Sequence, residues 1–251
     1  ETQAFAGNEL SRAKGDGIEF IDVRPFAFGD RVRRVNWRLS TRRRELYVNE
    51  FHRERNADVI IFLDTFAEAR LRDEGTLNQA VRGAATLAQY YLDRGDRVGL
   101  VGFGGLLRWL RPASGVMQRY RIVESLIDSE VVVSFAWKEI NVIPPTTLPP
   151  KALVVAITPL LDERTINALL DLRARRFDLV IIEVSPVPFV SPPRGGTAGL
   201  ALQIWKLERE LLRDRFRRLG IPVGVWEVNR PLEGVVQEVQ TFRRSAHRAH
   251  V

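Results

Sequence analysis

Seven arginines fall within fourteen positions, at Arg31, Arg33, Arg34, Arg38, Arg42, Arg43 and Arg44, with Trp37 among them. Guanidinium groups at this density are the ingredients of a phosphate grip, in which each neutralised phosphate releases counterions and binding weakens steeply with salt. On a helix, however, steps of 100° scatter these positions, and only Arg31, Arg34, Arg38 and Arg42 share a face. Carboxylates stand nearby at Asp22, Asp30, Glu45, Glu50 and Glu54. Arginine suits bidentate pairing with such groups and stacking on Trp37. The cluster therefore divides between arginines that hold structure together and a remainder free to face a partner.

Other reactive groups are sparse. No cysteine is present, which excludes disulfides, thiolate metal sites and a Cys nucleophile. Of three histidines, His247 and His250 have i,i+3 spacing but lie in a polar tail, and His52 sits in a strand of the N-terminal segment. No serine occupies a GxSxG elbow. The Gly-rich segments GFGG (102 to 105) and RGGTAG (194 to 199) lack the GxxxxGK[ST] pattern of a phosphate loop, and read as a hairpin turn and a surface loop. Asp162 and Glu163 suit the first turn of a helix better than acid/base work. A non-enzymatic protein is the expectation.

What must position these residues is an alternation of strands and helices. Five apolar runs, at 57 to 64, 97 to 103, 151 to 158, 177 to 184 and 221 to 228, have the near-continuous character of strands buried on both faces of a parallel sheet. Between them, Leu77, Ala80, Ala84, Leu87, Tyr91 and their neighbours keep a 3.6-residue stripe. Leu161, Ile166, Leu169, Leu170 and Leu172 begin a second. Leu200, Ile204, Leu207, Leu211, Leu212, Phe216 and Leu219 make a third, closed by Gly220 with Pro222 beyond. Gly104-Gly105 followed by LLRWLRP predicts a hairpin that adds an antiparallel edge strand. The proline-rich segments 141 to 150 and 185 to 196 read as loops. Residues 1–56 lack this rhythm: strands at GIEFIDVRPF and at 46 to 54 flank a short helix for which Asp30 is the expected cap, with Val32, Val35 and Leu39 on one side. The reading is an α/β protein with a doubly wound, mostly parallel sheet over 57–251 and a small β-rich N-terminal subdomain over 1–56. A net charge of +7 favours anionic partners such as nucleic acid, a lipid surface or an acidic protein without choosing among them. No apolar run approaches the roughly 18 residues of a membrane span. The start, ETQAFAGNELSRAKGDG, has neither an initiator Met nor a signal-peptide pattern, and the sequence reads as a fragment of a longer protein.

The order of strands resembles the von Willebrand factor A fold. The segment GDGIEF, then F-x-x-GD-x-x-R-R-V-N-W-R-x-S-x-R, L-x-V-N-E-F-x-x-E and a strand ending LD, resembles the signature of the bacterial DUF58 family over about residues 15 to 64. That resemblance implies membrane-spanning helices upstream, a cytoplasmic location for this region and a MoxR-type AAA+ ATPase as partner. It also assigns Gly29, Asp30, Arg33, Trp37, Arg42 and Glu54 to the signature, with Asp30, Arg33, Trp37 and Arg42 holding the subdomain in place. Arg33 and Trp37 are expected to be buried. Arg31, Arg43 and Arg44 are left as partner-facing.

A-type domains commonly hold Mg²⁺ through a DxSxS motif, a Thr in a middle loop and an Asp after the fourth strand. Here the first motif reads Asp64-Thr65-Phe66-Ala67-Glu68, and Pro159 stands at the expected Asp, leaving Asp64, Glu68, Thr158 and Asp162 as candidate ligands, with Thr146 and Thr147 in the middle loop. Phe66 cannot coordinate a hard cation, so the site reads as degenerate, no cofactor is expected, and Asp64 should hydrogen-bond the loop amides at its strand end. The function expected is a protein-interaction module, an adaptor for the ATPase in chaperone-like assembly or maturation. The alternative is a basic domain that binds nucleic acid or an anionic membrane surface.

Overall fold

The computed structural model describes residues 14–27, 30, 32–52, 58–131, 148–190, 196–228 and 230–238. The chain divides into two compact units, Glu1–Ala57 and Asp58–Val251.

In the first unit, strands β1 (Lys14–Pro25) and β2 (Tyr47–His52) pair antiparallel, and helix α1 (Trp37–Arg43) lies between them in sequence. The helix cap is Asn36: its Oδ1 accepts from the Leu39 amide at 3.0 Å and its Nδ2 donates to Asn49 at 2.8 Å. Asp30, the cap expected from sequence, stands too far upstream, because a 3₁₀ turn at Val32–Arg34 intervenes. Asp30 instead takes a forked ion pair from Arg24 at 2.6 and 2.8 Å and accepts the Ala27 amide at 2.7 Å. Buried Ser40 pins the helix to β2, its Oγ accepting from the Tyr47 amide at 2.9 Å, and Val35, joined to Val48 of β2 by an isolated bridge, forms a small apolar centre with it.

The second unit opens with β3 (Asp58–Thr65), a short hairpin β4 (Arg70–Leu71) and β5 (Glu74–Gly75), and α2 (Thr76–Asp93). Then come β6 (Arg97–Gly104), β7 (Arg108–Ala113), α3 (Val116–Ile127), β8 (Leu153–Thr158), α4 (Glu163–Ala174), β9 (Asp178–Val184), α5 (Gly196–Arg218) and β10 (Val223–Trp226). The six-stranded sheet has the order β10-β9-β8-β3-β6-β7, parallel except for β7, which turns back on β6 as the Gly104-Gly105 hairpin predicts. Five predicted strands and three predicted helices are present. The small hairpin and α3 were not anticipated, and a 3₁₀ turn at Val187–Phe189 forms inside a segment read as loop. The proline-rich stretch up to residue 147 lies outside the described residues.

The parity of the strands sorts the core. Ile60, Phe62, Val101, Phe103, Val154 and Ile181 face the same side and meet Leu169 and Leu172 of α4 and Phe216 of α5. The alternate residues, such as Ile61 and Leu63, are equally buried on the other side, where α2 packs on β3 and β6 with α3 beside it. Gly220 ends α5 at φ 72°, a left-handed turn that lets the chain re-enter the sheet. One expectation fails here. Leu212 and Phe216 face the sheet, but Leu200, Ile204, Leu207 and Leu211 are between 58% and 66% exposed, and Leu219 is exposed too. The sheet-facing line of α5 instead runs through Leu202, Arg209 and Phe216, because Arg209 reaches down to a buried carboxylate.

Candidate functional site at the carboxyl edge of the sheet

β3 is the first strand of the parallel set, with β6 added on one side and β8 on the other. The reversal makes the β3/β8 boundary a topological switch point, the place where open α/β sheets present ligands. In-register pairing ends at Leu63 with Ile157, so Asp64 and Thr158 stand side by side at that boundary, and Thr158 in turn is paired with Glu183 of β9. Asp64, Thr158 and Glu183 thus form a row across three strands, all on the face beneath α4 and α5, and all almost fully buried.

The row is closed by its own partners. Asp64, 1% exposed, accepts from the Thr158 hydroxyl at 2.7 Å and from the Phe66 amide at 3.0 Å, one oxygen to each. The Thr158 hydroxyl accepts in turn from the Leu160 amide at 2.9 Å. Buried Thr165 lies close enough to lower the Asp64 pKa slightly, but outside hydrogen-bond geometry. Burial dominates: it pushes the Asp64 carboxyl up from 3.8 to about 6 against those hydrogen bonds, and the charge of Asp162 adds to the rise. Phe66 packs edge-on against Phe103, with ring centroids 5.1 Å apart, and the Arg164 guanidinium lies over the Phe66 ring at 3.9 Å. Arg164 is fixed by Asp162, which caps α4 through the Arg164 amide and takes its Nε and Nη2 at 2.9 and 2.8 Å. The same hydrogen bonds hold the Asp162 carboxyl below its ordinary pKa.

Glu183 is the second buried carboxylate. Arg209 of α5 donates to it at 2.5 Å and Arg213 at 3.2 Å, while Arg209 also reaches the Pro159 and Leu160 carbonyls at 2.6 and 3.5 Å. Arg209 thereby holds the loop after β8, in which Leu160 sits at a left-handed φ of 53°. Trp205 lies alongside the Arg209 guanidinium at 5.2 Å. Sequence reading missed this clamp. Arg209 is seven residues from both Leu202 and Phe216, a spacing that marks the sheet-facing line, but an arginine on that line carries no apolar signal.

The candidate metal ligands are only partly brought together. Asp64 and Thr158 meet. Asp162 is engaged by Arg164, and Glu68 takes an ion pair from Arg70 at 3.4 Å. Among the described residues no three His, Cys, Asp or Glu side chains gather as a metal group. A Mg²⁺ ion needs six oxygens in an octahedron. Asp64 has both oxygens committed, Asp162 and Glu68 are paired with arginines, and the Phe66 side chain offers no oxygen, so these residues do not fit such an ion. Thr146 and Thr147 lie outside the described residues. A cavity at the β6, β7 and α3 side of the sheet, lined by Thr65, Leu100, Gly102, Arg108, Ser125 and Asp128 among others, has a volume of about 20 Å³, room for one water and far below the several hundred Å³ of a small-molecule site.

In the first unit, the signature residues separate differently from expectation. Asp30 is tied to Arg24, but Arg33 and Arg42 are exposed and Trp37 is 61% exposed. The reason is the geometry of α1: Asn36 and Ser40, four apart, face β2, and Trp37 is turned about 100° from Asn36 and about 60° from Ser40. The arginine that stacks is Arg43, on Tyr47 at 5.5 Å, and Arg43 and Arg44 are both exposed as expected. Asn36 and Ser40, which the signature pattern contains, are the residues that fasten the helix. Gly29, Arg31 and Glu54 lie outside the described residues.

A mixed α/β domain with a mostly parallel sheet flanked by helices, compatible with Rossmann-like and von Willebrand A-like folds, is the class that this architecture defines. The chain belongs to the family described as Protein of unknown function DUF58, which it matches over residues 22–198. No curated protein matches it. Two similar solved structures are an aerotolerance-related membrane protein from Bacteroides fragilis with multiple mutations to serines, and the conserved hypothetical protein BatB from Bacteroides thetaiotaomicron. The first is 18% identical, with a TM-score of 0.34, covering 51% of this chain and 67% of that one. The second is 15% identical, with a TM-score of 0.43, covering 75% and 99%. Likeness at this level does not bear on activity or partners. Among the described residues, no helix is long and apolar enough to cross a membrane.

Proposed function

We propose that this chain is a non-catalytic protein-interaction module of the von Willebrand A type, belonging to the cytoplasmic region of a membrane-anchored protein and serving as adaptor to a MoxR-type AAA+ ATPase. The observation that supports it is the filled switch point: where an α/β enzyme of this topology opens a cleft, Asp64 is buried with both oxygens hydrogen-bonded, and Arg164 lies over the ring of Phe66, whose amide donates to Asp64. A closed edge offers a surface for a macromolecule, and its chemistry needs no metal. Arg164, held over the Phe66 ring and fixed by Asp162, is the anchor that such a surface would use. The test is a pull-down of the ATPase from the same organism, with and without EDTA. Retention in both conditions, lost with Arg164→Glu, is expected. No retention in either sinks the reading, and retention that EDTA abolishes overturns metal independence.

A second reading, binding to nucleic acid or an anionic membrane surface, draws on the exposure of Trp37 beside Arg38, Arg42, Arg43 and Arg44. A titration against duplex DNA and against acidic vesicles at two salt concentrations decides it. Binding that falls with salt and with Trp37→Ala supports it, and absent or salt-independent binding removes it.

A further inference from the structure

The exposed stripe of α5 is more regular than scattered surface leucines. Leu200, Ile204, Leu207 and Leu211 follow one another at intervals of four, three and four, the seam of a coiled coil. Steps of 100° put this seam on the side of α5 opposite Leu202, Arg209 and Phe216, the line that faces the sheet. Each of the four is between 58% and 66% exposed. Packing within the second unit therefore uses one side of the helix and leaves a second apolar side pointing away from it.

The geometry points to a second copy of this chain as the occupant, with the two α5 helices antiparallel about a two-fold axis midway between Ile204 and Leu207. In that register Leu200 meets Leu211 of the second copy and Ile204 meets Leu207, each twice, so all four seam residues are satisfied by one another. Glu208 falls opposite Ala201 and Glu210 opposite Gln203, so no like charges oppose along the flanks. A parallel pairing would set Asp214 and Arg218, the next seam positions, each against its own kind. The four side chains remove roughly 900 Å² from the pair, and flanking residues bring this to about the 1,200 Å² where specific interfaces begin. An interface at that lower limit belongs to the weak, transient class. This pairing is independent of the carboxyl edge and of the adaptor reading.

The absence of cysteine makes the register directly testable. Sedimentation of the 251-residue chain over a range from about 1 to several hundred micromolar should show a monomer–dimer equilibrium, and Leu207→Glu should weaken it at least about a hundredfold, because each copy would bury a carboxylate against Ile204. Mixing a Gln203→Cys chain with a Glu210→Cys chain should yield the mixed disulfide, while Gln203→Cys mixed with Glu208→Cys, the parallel neighbour, should not. A monomer at every concentration overturns the proposal, as does cross-linking in the parallel combination. A lowered melting temperature for Leu207→Glu at concentrations where the chain is monomeric also overturns it, since the stripe would then be covered within one chain.

Discussion

Replacing Asp64 by Asn tests the account of the carboxyl edge most directly. Burial holds the Asp64 carboxyl at about 6 instead of 3.8, and that rise corresponds to about 3 kcal/mol of differential stabilisation of the neutral form. Because the folded-state pKa lies above the unfolded one, the native state binds the proton more tightly. The group's favourable contribution is complete below about pH 4 and is lost as pH rises through 6. Above pH 7 the native protein therefore carries an ionised carboxylate in a site that prefers a neutral group. An amide of the same shape keeps the acceptor for the Phe66 amide and can donate to Thr158 Oγ1, though the Thr158 proton must then turn elsewhere. Asp64→Asn is expected to raise stability by about 1 to 3 kcal/mol at pH 8. The gain should disappear at pH 4, where both proteins hold a neutral group. Urea unfolding followed by tryptophan fluorescence between pH 4 and 8 measures it, with and without Mg²⁺. A variant less stable than the parent at pH 8, or a parent stabilised by Mg²⁺ through Asp64, would mean instead that the charge is wanted there.

Two further outcomes follow from the same contacts. Glu183→Ala leaves Arg209 and Arg213 without their buried counter-charge and should cost about 3 to 5 kcal/mol in urea unfolding, whereas adding Arg209→Met to it should recover part of the loss, as expected for one coupled cluster. Asn36→Ala removes the cap of α1 and should cost about 1 kcal/mol locally, read as roughly fivefold faster hydrogen exchange at the Leu39 and Ser40 amides.

Along the chain, local patterns are legible because they depend on neighbours a few residues away. Continuous β-branched runs announce strands buried on both faces, Asp162 before an apolar stripe announces a capped helix, and Gly104-Gly105 announces the antiparallel return to β7. α3 escaped because its buried residues, Gln118, Ile122 and Leu126, are outnumbered by exposed Val116, Met117, Tyr120, Val123 and Ile127, which blur the stripe. Trp37 was misjudged because arginines close to a tryptophan in sequence need not stack on it; the side to which α1 turns is fixed by Asn36 and Ser40.

The rhythm of strands and helices, the carboxylate at the end of β3, and the unsuitability of Phe66 as a ligand are all legible in the amino-acid order alone. The three-dimensional fold makes Asp64, Thr158 and Glu183 one buried row, because strand order and register bring together residues far apart in sequence. It alone decided which side of α5 faces the sheet. A helix with two apolar sides has periodicity for both, and the choice rests with Arg209, whose partner Glu183 lies on another strand. One-dimensional patterns report that a surface is apolar; what covers it depends on which elements meet in space.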